Sequence, residues 1–288
     1  MKWTKRDFLI LLALMLALAL LGKPKGANSE ELVTLSGRMV QGGLVTGRTA
    51  PGARVTLDGE PVRVRADGRF LLGFGRDAKP QAVLVVTQPG GKSETRRLAV
   101  GKRDWKIQRI DGLPPAMVTP PPETIARIRA EGARIKEARL RDTDRPMFDT
   151  GFIWPVLGKI SGVYGSQRIL NGEPRQPHYG VDVAAPVGTP VVAAADGIVR
   201  LAERDLYFTG GTILIDHGYG LNSVYSHLQS VTVKPGDAVK QGQPVGTLGG
   251  TGRVTAPHLD WRVNLFLTRL DPELLVGPMP APSASSAD

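Results

Sequence analysis

The chain contains no cysteine. Disulfide frameworks and thiolate metal sites are thereby excluded, so any metal ion must be held by histidine and carboxylate groups. A lipid-modified cysteine behind an N-terminal apolar run is excluded for the same reason. Histidine is nearly as scarce, with four in 288 residues, so the position of each one carries information. No RRM, zinc-finger or recognition-helix pattern occurs, and the basic residues are scattered rather than run together; nucleic acid is not the expected partner. With 41% hydrophobic residues the chain has enough apolar material for packed cores, which excludes general disorder.

What the chain does have is positive charge and a patterned text. The net charge is +10 and the pI about 10.0. That balance favours a polyanionic partner, whether nucleic acid, anionic lipid or cell-wall polymer, without choosing among them. At the N-terminus, Lys2, Lys5 and Arg6 precede FLILLALMLALALL. This apolar stretch is short beside the about 20 residues of a membrane-spanning helix and fits the core of a signal peptide. No clean A-x-A cleavage triplet follows it, and an uncleaved inner-membrane anchor is the alternative. Residues 1–27 are therefore expected to export the chain.

Residues 32–112 read as an accessory β-sandwich-like domain. Val55 and Leu57, Val62 and Val64, Phe70 and Leu72 alternate, with Asp58-Gly59 and Asp67-Gly68 as turn dipeptides between them. A further strand pair flanks a Pro-Gly-Gly turn. Residues 113–150 open with PPAMVTPPPE, a proline-rich joint, and continue as a charged helix with Ile125, Ile128, Ile135 and Ala138 at helical offsets. That helix is expected to be a solvated linker. Residues 151–276 turn β-rich again and carry all four histidines, His178, His217, His227 and His258; residues 277–288 form a low-complexity tail expected to be disordered. The fold class is mainly β.

Two pairs of histidine and carboxylate are spaced to share a site. Asp182 follows His178 by four positions, and Gly180 between them permits a bend that would bring them together. His258 and Asp260 in APHLDWRV would lie on one face of a strand, with Trp261 packed on the other. His217 precedes a Gly-x-Gly turn and reads as structural.

The H-x-x-x-D pair, the Y-x-H-L strand, the Pro-Gly-Asp and G-x-x-V-G turns and the T-G-x-x-x-x-P-H-L stretch occur in this order. Together they resemble the M23 (lysostaphin/LytM-type) zinc metallopeptidases that cut peptide bonds in peptidoglycan. The resemblance implies an all-β lysostaphin/LytM-like peptidase domain and one zinc ion per chain. It makes His178 and Asp182 two zinc ligands and His227 and His258 the catalytic histidines. The third ligand, normally the second histidine of an H-x-H pair, falls on Asp260. Zinc accepts carboxylate oxygen, so the substitution is compatible with a metal site, though a harder ion such as manganese becomes more competitive. Asp260→His is accordingly expected to preserve binding. The resemblance implies a cell-wall endopeptidase; the alternative is an inactive LytM-like domain that binds peptidoglycan or activates another hydrolase. The segments QRILNGEPRQ and RDLYFTGG read as loops and are expected to wall the substrate groove.

Overall fold

Short alternating segments closed by glycine turns build the first half of the computed structural model, which describes residues 31–111 and 122–280. The export segment, the proline-rich joint and the end of the tail lie outside the described residues. The strands there are β1 (Val33–Gly37), β2 (Leu44–Thr49), β3 (Arg54–Leu57), β4 (Glu60–Val62), β5 (Arg69–Gly73), β6 (Gln81–Thr87) and β7 (Ser93–Ala99). They form two antiparallel sheets, β1-β2-β5 and β4-β3-β6-β7. Val45, Phe70 and Leu72 of one sheet meet Val55, Leu84 and Val86 of the other in a single core. The Asp58-Gly59 turn works as its residues demand: both have positive φ, 52° and 87°, and they close the β3–β4 hairpin.

After β8 (Ile107–Ile110) comes helix α1 (Pro122–Arg139). The remaining strands are β9 (Lys159–Gly162), β10 (Gln167–Leu170), β11 (Glu173–Pro174), β12 (Val181–Ala184), β13 (Pro190–Val192) and β14 (Gly197–Leu206). They continue as β15 (Gly210–Gly218), β16 (Leu221–Val231), β17 (Ala238–Val239), β18 (Pro244–Leu248), β19 (Leu259–Leu265) and β20 (Thr268–Leu270), before a last turn of helix, α2 (Glu273–Val276). The dominant sheet runs β17-β14-β15-β16-β19-β12-β9, with β18 and β20 attached at β16 and β19. One of its faces is apolar: Val181, Val183, Tyr225, Leu259, Trp261 and Val263 pack there, with Trp154 against Trp261 at 5.6 Å between ring centroids. The period of two then throws Asp182, Asp260 and Arg262 onto the opposite face.

That second face is where α1 lies, and the helix is not a solvated linker. Ala138 is buried with Leu201, Leu214 and Val224, and Ile135 packs beside them. Glu131 accepts the backbone N–H of Tyr207 at 2.8 Å, and Arg127 and Arg134 pair with Asp205 and Glu203. Offsets of three along the helix make this stripe, and the sheet supplies a matching apolar patch. The expected groove wall QRILNGEPRQ is also not a loop. It folds into the β10–β11 hairpin, turning at Asn171-Gly172 (φ 50° and 80°), and β10 pairs in parallel with β8. RDLYFTGG forms the end of β14 and the turn into β15.

The N-terminal sheets are tied to the large one by arginines. Arg65 pairs with Asp142 and Asp144 and lies over the ring of Tyr219 at 4.2 Å, and Arg103 reaches buried Asp271 at 2.7 Å. Among the described residues no helix is long and apolar enough to cross a membrane.

Candidate metal centre

Three adjacent strands set the site. In the register of β16, β19 and β12, Ser226 stands opposite Asp260 and Asp260 opposite Asp182, which forms a polar row across the sheet. His178 approaches from the segment before β12 and His258 from the residue before β19. Two glycines make the close approach possible. A Cβ on Gly162 would lie 2.2 Å from Asp182 Oδ2, and one on Gly180 would lie 2.6 Å from Asp260 Oδ1. The bend expected at Gly180 is present, and the absence of a side chain there also opens space for Asp260.

His227 is placed by a different device. It sits in β16 with φ of 66°, where the pairing with β15 slips between Tyr225 and Leu228. A bulge of this kind re-aims a side chain at the cost of local strain. The backbone N–H of His227 donates to the Thr209 carbonyl (2.8 Å), which secures the distortion. The His227 and His258 rings stand 4.9 Å apart, centroid to centroid.

All three histidines are oriented alike. The Nδ1 atoms of His178, His227 and His258 face the backbone carbonyls of Val163 (3.3 Å), Thr251 (2.9 Å) and Ala256 (2.8 Å). A carbonyl accepts only, so each Nδ1 carries a proton, and in the neutral ring Nε2 offers a lone pair. His178 Nε2 lies 3.0 Å from Asp182 Oδ1 and 3.6 Å from Asp260 Oδ1, and His258 Nε2 lies 3.6 Å from Asp182 Oδ1. Asp182 Oδ1 is buried and has no hydrogen-bond partner. Lone pairs therefore face lone pairs, an arrangement that is unfavourable unless a cation or proton sits among them. Without an ion a proton on His178 Nε2 fills that role: burial opposes a charged ring, but the nearby carboxylates of Asp182 and Asp260 outweigh it and push the group up to about 10.

His178, Asp182 and Asp260 each turn one ligand atom to a common point, all within 4.8 Å of one another. Tetrahedral zinc with bonds of about 2.0–2.2 Å places its ligand atoms about 3.4 Å apart. The 3.0 and 3.6 Å separations bracket that value, so the residues fit such an ion.

Arg262 went unnoticed in the sequence. Its Nε donates to both oxygens of Asp260, at 2.9 and 3.0 Å, and a terminal nitrogen donates to Oδ2 as well. Burial opposes ionisation of Asp260, yet the Arg262 charge and the His178 bond hold its carboxyl well below the usual range. The signal was available: arginine two residues after an aspartate on a strand shares its face. His217 lies apart from the cluster. It is fully buried, with Nδ1 on the Asp196 carbonyl and Nε2 beside Ser223 Oγ, both at 2.7 Å, and burial lowers it to about 4.

Comparison with known proteins gives the family. The profile of Peptidase family M23 matches residues 176–272. A solved structure from Pseudomonas aeruginosa, itself assigned to peptidase M23, is 31% identical and superposes with a TM-score of 0.62, covering 83% of this chain and 96% of that one. The chain belongs to peptidase family M23. Among curated relatives, Peptidoglycan DD-endopeptidase ShyC of Vibrio cholerae is 52% identical over 84 residues, 29% of this chain and 19% of that protein. Cell division protein DipM of Caulobacter vibrioides is 32% identical over 164 residues, 56% of this chain and 25% of that protein. The chain thus spans about a fifth to a quarter of the length of these curated relatives.

Proposed function

We propose that this M23 chain is a zinc-dependent endopeptidase acting on peptide bonds of peptidoglycan. The observation that carries the reading is the cluster of lone pairs. Two imidazoles locked by backbone carbonyls, His178 and His258, turn their Nε2 atoms toward the carboxylates of Asp182 and Asp260, one of which has a buried oxygen without a hydrogen bond, and the His227 ring stands beside them. In this reading His178, Asp182 and Asp260 hold the ion. A zinc ion held there would polarise the scissile carbonyl and activate water as nucleophile. Burial lowers His227, so its ring is neutral at pH 7 and its free Nε2 can take a proton from the attacking water. His258 faces the same space, and a ring protonated on Nε2 as well can donate a hydrogen bond to the oxygen on which charge develops.

Arg262 bears on whether an aspartate can serve as third ligand. A carboxylate has about four lone-pair positions, so Asp260 can accept from Arg262 and still face the ion. The arginine also cancels the extra negative charge. Two aspartates with one arginine carry the same net charge as one aspartate with two neutral histidines.

Wall chemistry supports the same proposal. The relatives named above include a peptidoglycan DD-endopeptidase, and a +10 chain suits an anionic polymer. Export through residues 1–27 to the envelope, possession of an accessory domain over 32–112 and a peptidase domain over 151–276 belong to this reading. The second reading, a wall-binding or hydrolase-activating domain without catalysis, draws on the same Arg262–Asp260 pair, since a carboxylate already satisfied by arginine has less to offer a metal.

One set of measurements separates the two. The purified chain should hold about one zinc per molecule by elemental analysis and release peptides from isolated peptidoglycan. His227→Ala and His258→Ala should keep the metal and lose the release. A folded chain that takes up no zinc at saturating concentration would refute the enzymatic reading.

A further inference from the structure

Next to the metal cluster, on the same sheet face, lies an open cavity of about 420 Å³ in which apolar Ile135 and Leu267 stand among four cationic side chains. Lys136 and Arg139 of α1 line it, with Thr209, Arg262 from β19 and Arg269 from β20, and no carboxylate among the described residues does so. Arg262 is already matched by Asp260. Arg269 donates to the Asn264 Oδ1 at 2.9 Å and lies over the Tyr179 ring at 5.7 Å, with no carboxylate among the described residues in direct contact. Arg139 is 9% exposed, and its Nε has no hydrogen-bond partner.

Buried charges in proteins are ordinarily paired, because the desolvation of a lone one is not recovered. Here burial and the repulsion of Arg269 and Arg262 pull Arg139 down to about 9, so it is still charged at neutral pH. A guanidinium held in this way is prepared for an anion that arrives from outside. The cavity adjoins the cluster at two points: Arg262 grips Asp260, and the Thr209 carbonyl receives the backbone N–H of His227. Helix α1, fixed by Glu131 on Tyr207 and by Ala138 on the sheet, holds Arg139 there rigidly.

We propose that this cavity binds a carboxylate of the peptide substrate beside the scissile bond, with Arg139 as its main contact, and so selects acidic over amidated peptides. The proposal rests on the peptidase reading of the adjoining cluster. A planar carboxylate matches the guanidinium fork, and charge-assisted bonds of this kind discriminate strongly against a neutral amide. Inorganic phosphate shares the anionic chemistry, and the test must separate it from a substrate carboxylate.

The experiment uses the full zinc-loaded chain and two peptide substrates that differ in one group beside the scissile bond, a carboxylate or its carboxamide. Wild type should favour the carboxylate about ten- to a hundredfold in kcat/KM, mainly through KM. In Arg139→Gln the ratio should fall to near one, and Arg139→Lys should recover part of it. Millimolar inorganic phosphate should raise KM for the carboxylate peptide in wild type. Phosphate that binds without raising that KM would place the anion site off the substrate path and overturn the assignment. A wild type without preference, or an Arg139→Gln variant that keeps it, also overturns it. Because Arg139→Gln removes an unpaired buried charge, its melting temperature should not fall. A fall accompanied by equal loss on both peptides would mark a structural role instead. If wild type cleaves neither peptide, the peptidase reading fails. Calorimetric titration of the uncleaved pair then decides the site: carboxylate-selective binding lost in Arg139→Gln upholds it, and equal binding of the two overturns it.

Discussion

Replacing Asp260 by histidine restores the imidazole that the family resemblance leads one to expect, yet the structure makes the opposite outcome the expected one. In the native arrangement Asp182 and Asp260 contribute two negative charges and Arg262 one positive, leaving one net negative charge. Asp260→His leaves Arg262 in place with no carboxylate to hold, and the set becomes neutral. A unit charge about 5 Å from the ion, at an effective dielectric of about 20, is worth about 3 kcal/mol for each unit of the ion's charge, so the affinity should fall by at least about a hundredfold. The stranded guanidinium also costs the metal-free fold, since breaking a buried pair from one side typically costs about 3–5 kcal/mol. Removing the arginine as well should reverse both losses: Asp260→His with Arg262→Leu regains one net negative charge and has no orphan cation. The assay is competition for zinc against a chelating dye at pH 7, with thermal melts of the metal-free proteins alongside. The expected order is wild type and double variant together, the single variant at least about a hundredfold weaker and lower in Tm. An Asp260→His protein that binds zinc as tightly as wild type, or a double variant as weak as the single, would refute the charge argument.

Gly162→Ala should loosen the site without touching a ligand, because the new Cβ would fall 2.2 Å from Asp182 Oδ2 and the carboxylate must move. Overpacking of this kind costs about 1–3 kcal/mol, and dye competition should show zinc affinity down by about tenfold or more; an unchanged affinity would mean that Asp182 is not held where the ion needs it. His217 should make the chain acid-sensitive. Its folded value of about 4 lies below the unfolded value near 6.5, so its contribution is complete above about pH 6.5 and is lost as pH falls toward 4. The loss amounts to about 3 kcal/mol at most, and urea midpoints at pH 7, 5.5 and 4.5 should fall less steeply in His217→Gln; parallel slopes would rule out the assignment.

The polar row of the site was legible because strand periodicity is local. Asp260 and Trp261 had to face opposite ways whatever the rest of the fold did, and Trp261 is indeed in the core. Asp58-Gly59 named its own hairpin for the same reason, since the conformation it prefers does not depend on distant partners. His178 and Asp182 could be joined only conditionally, because their contact requires a bend at Gly180 and a third strand to receive them. The errors arose where distant contacts decide. α1 read as a solvated linker because its charges dominate its text, and nothing within it announces the patch of Leu201, Leu214 and Val224 that accepts Ile135 and Ala138. QRILNGEPRQ read as a loop because its partner, β8, lies some sixty residues upstream across the proline-rich joint. Arg262 was missed for a subtler reason. Read alone, the aspartate at 260 is a lost histidine; read with the arginine two residues on, it is half of an ion pair that leaves the charge of the site unchanged. On the proposed reading, the unit that stands for histidine is Asp260 together with Arg262. The same arginine continues the positive surface toward Arg139, so the exchange that preserves charge at the cluster also helps to build the cationic cavity beside it.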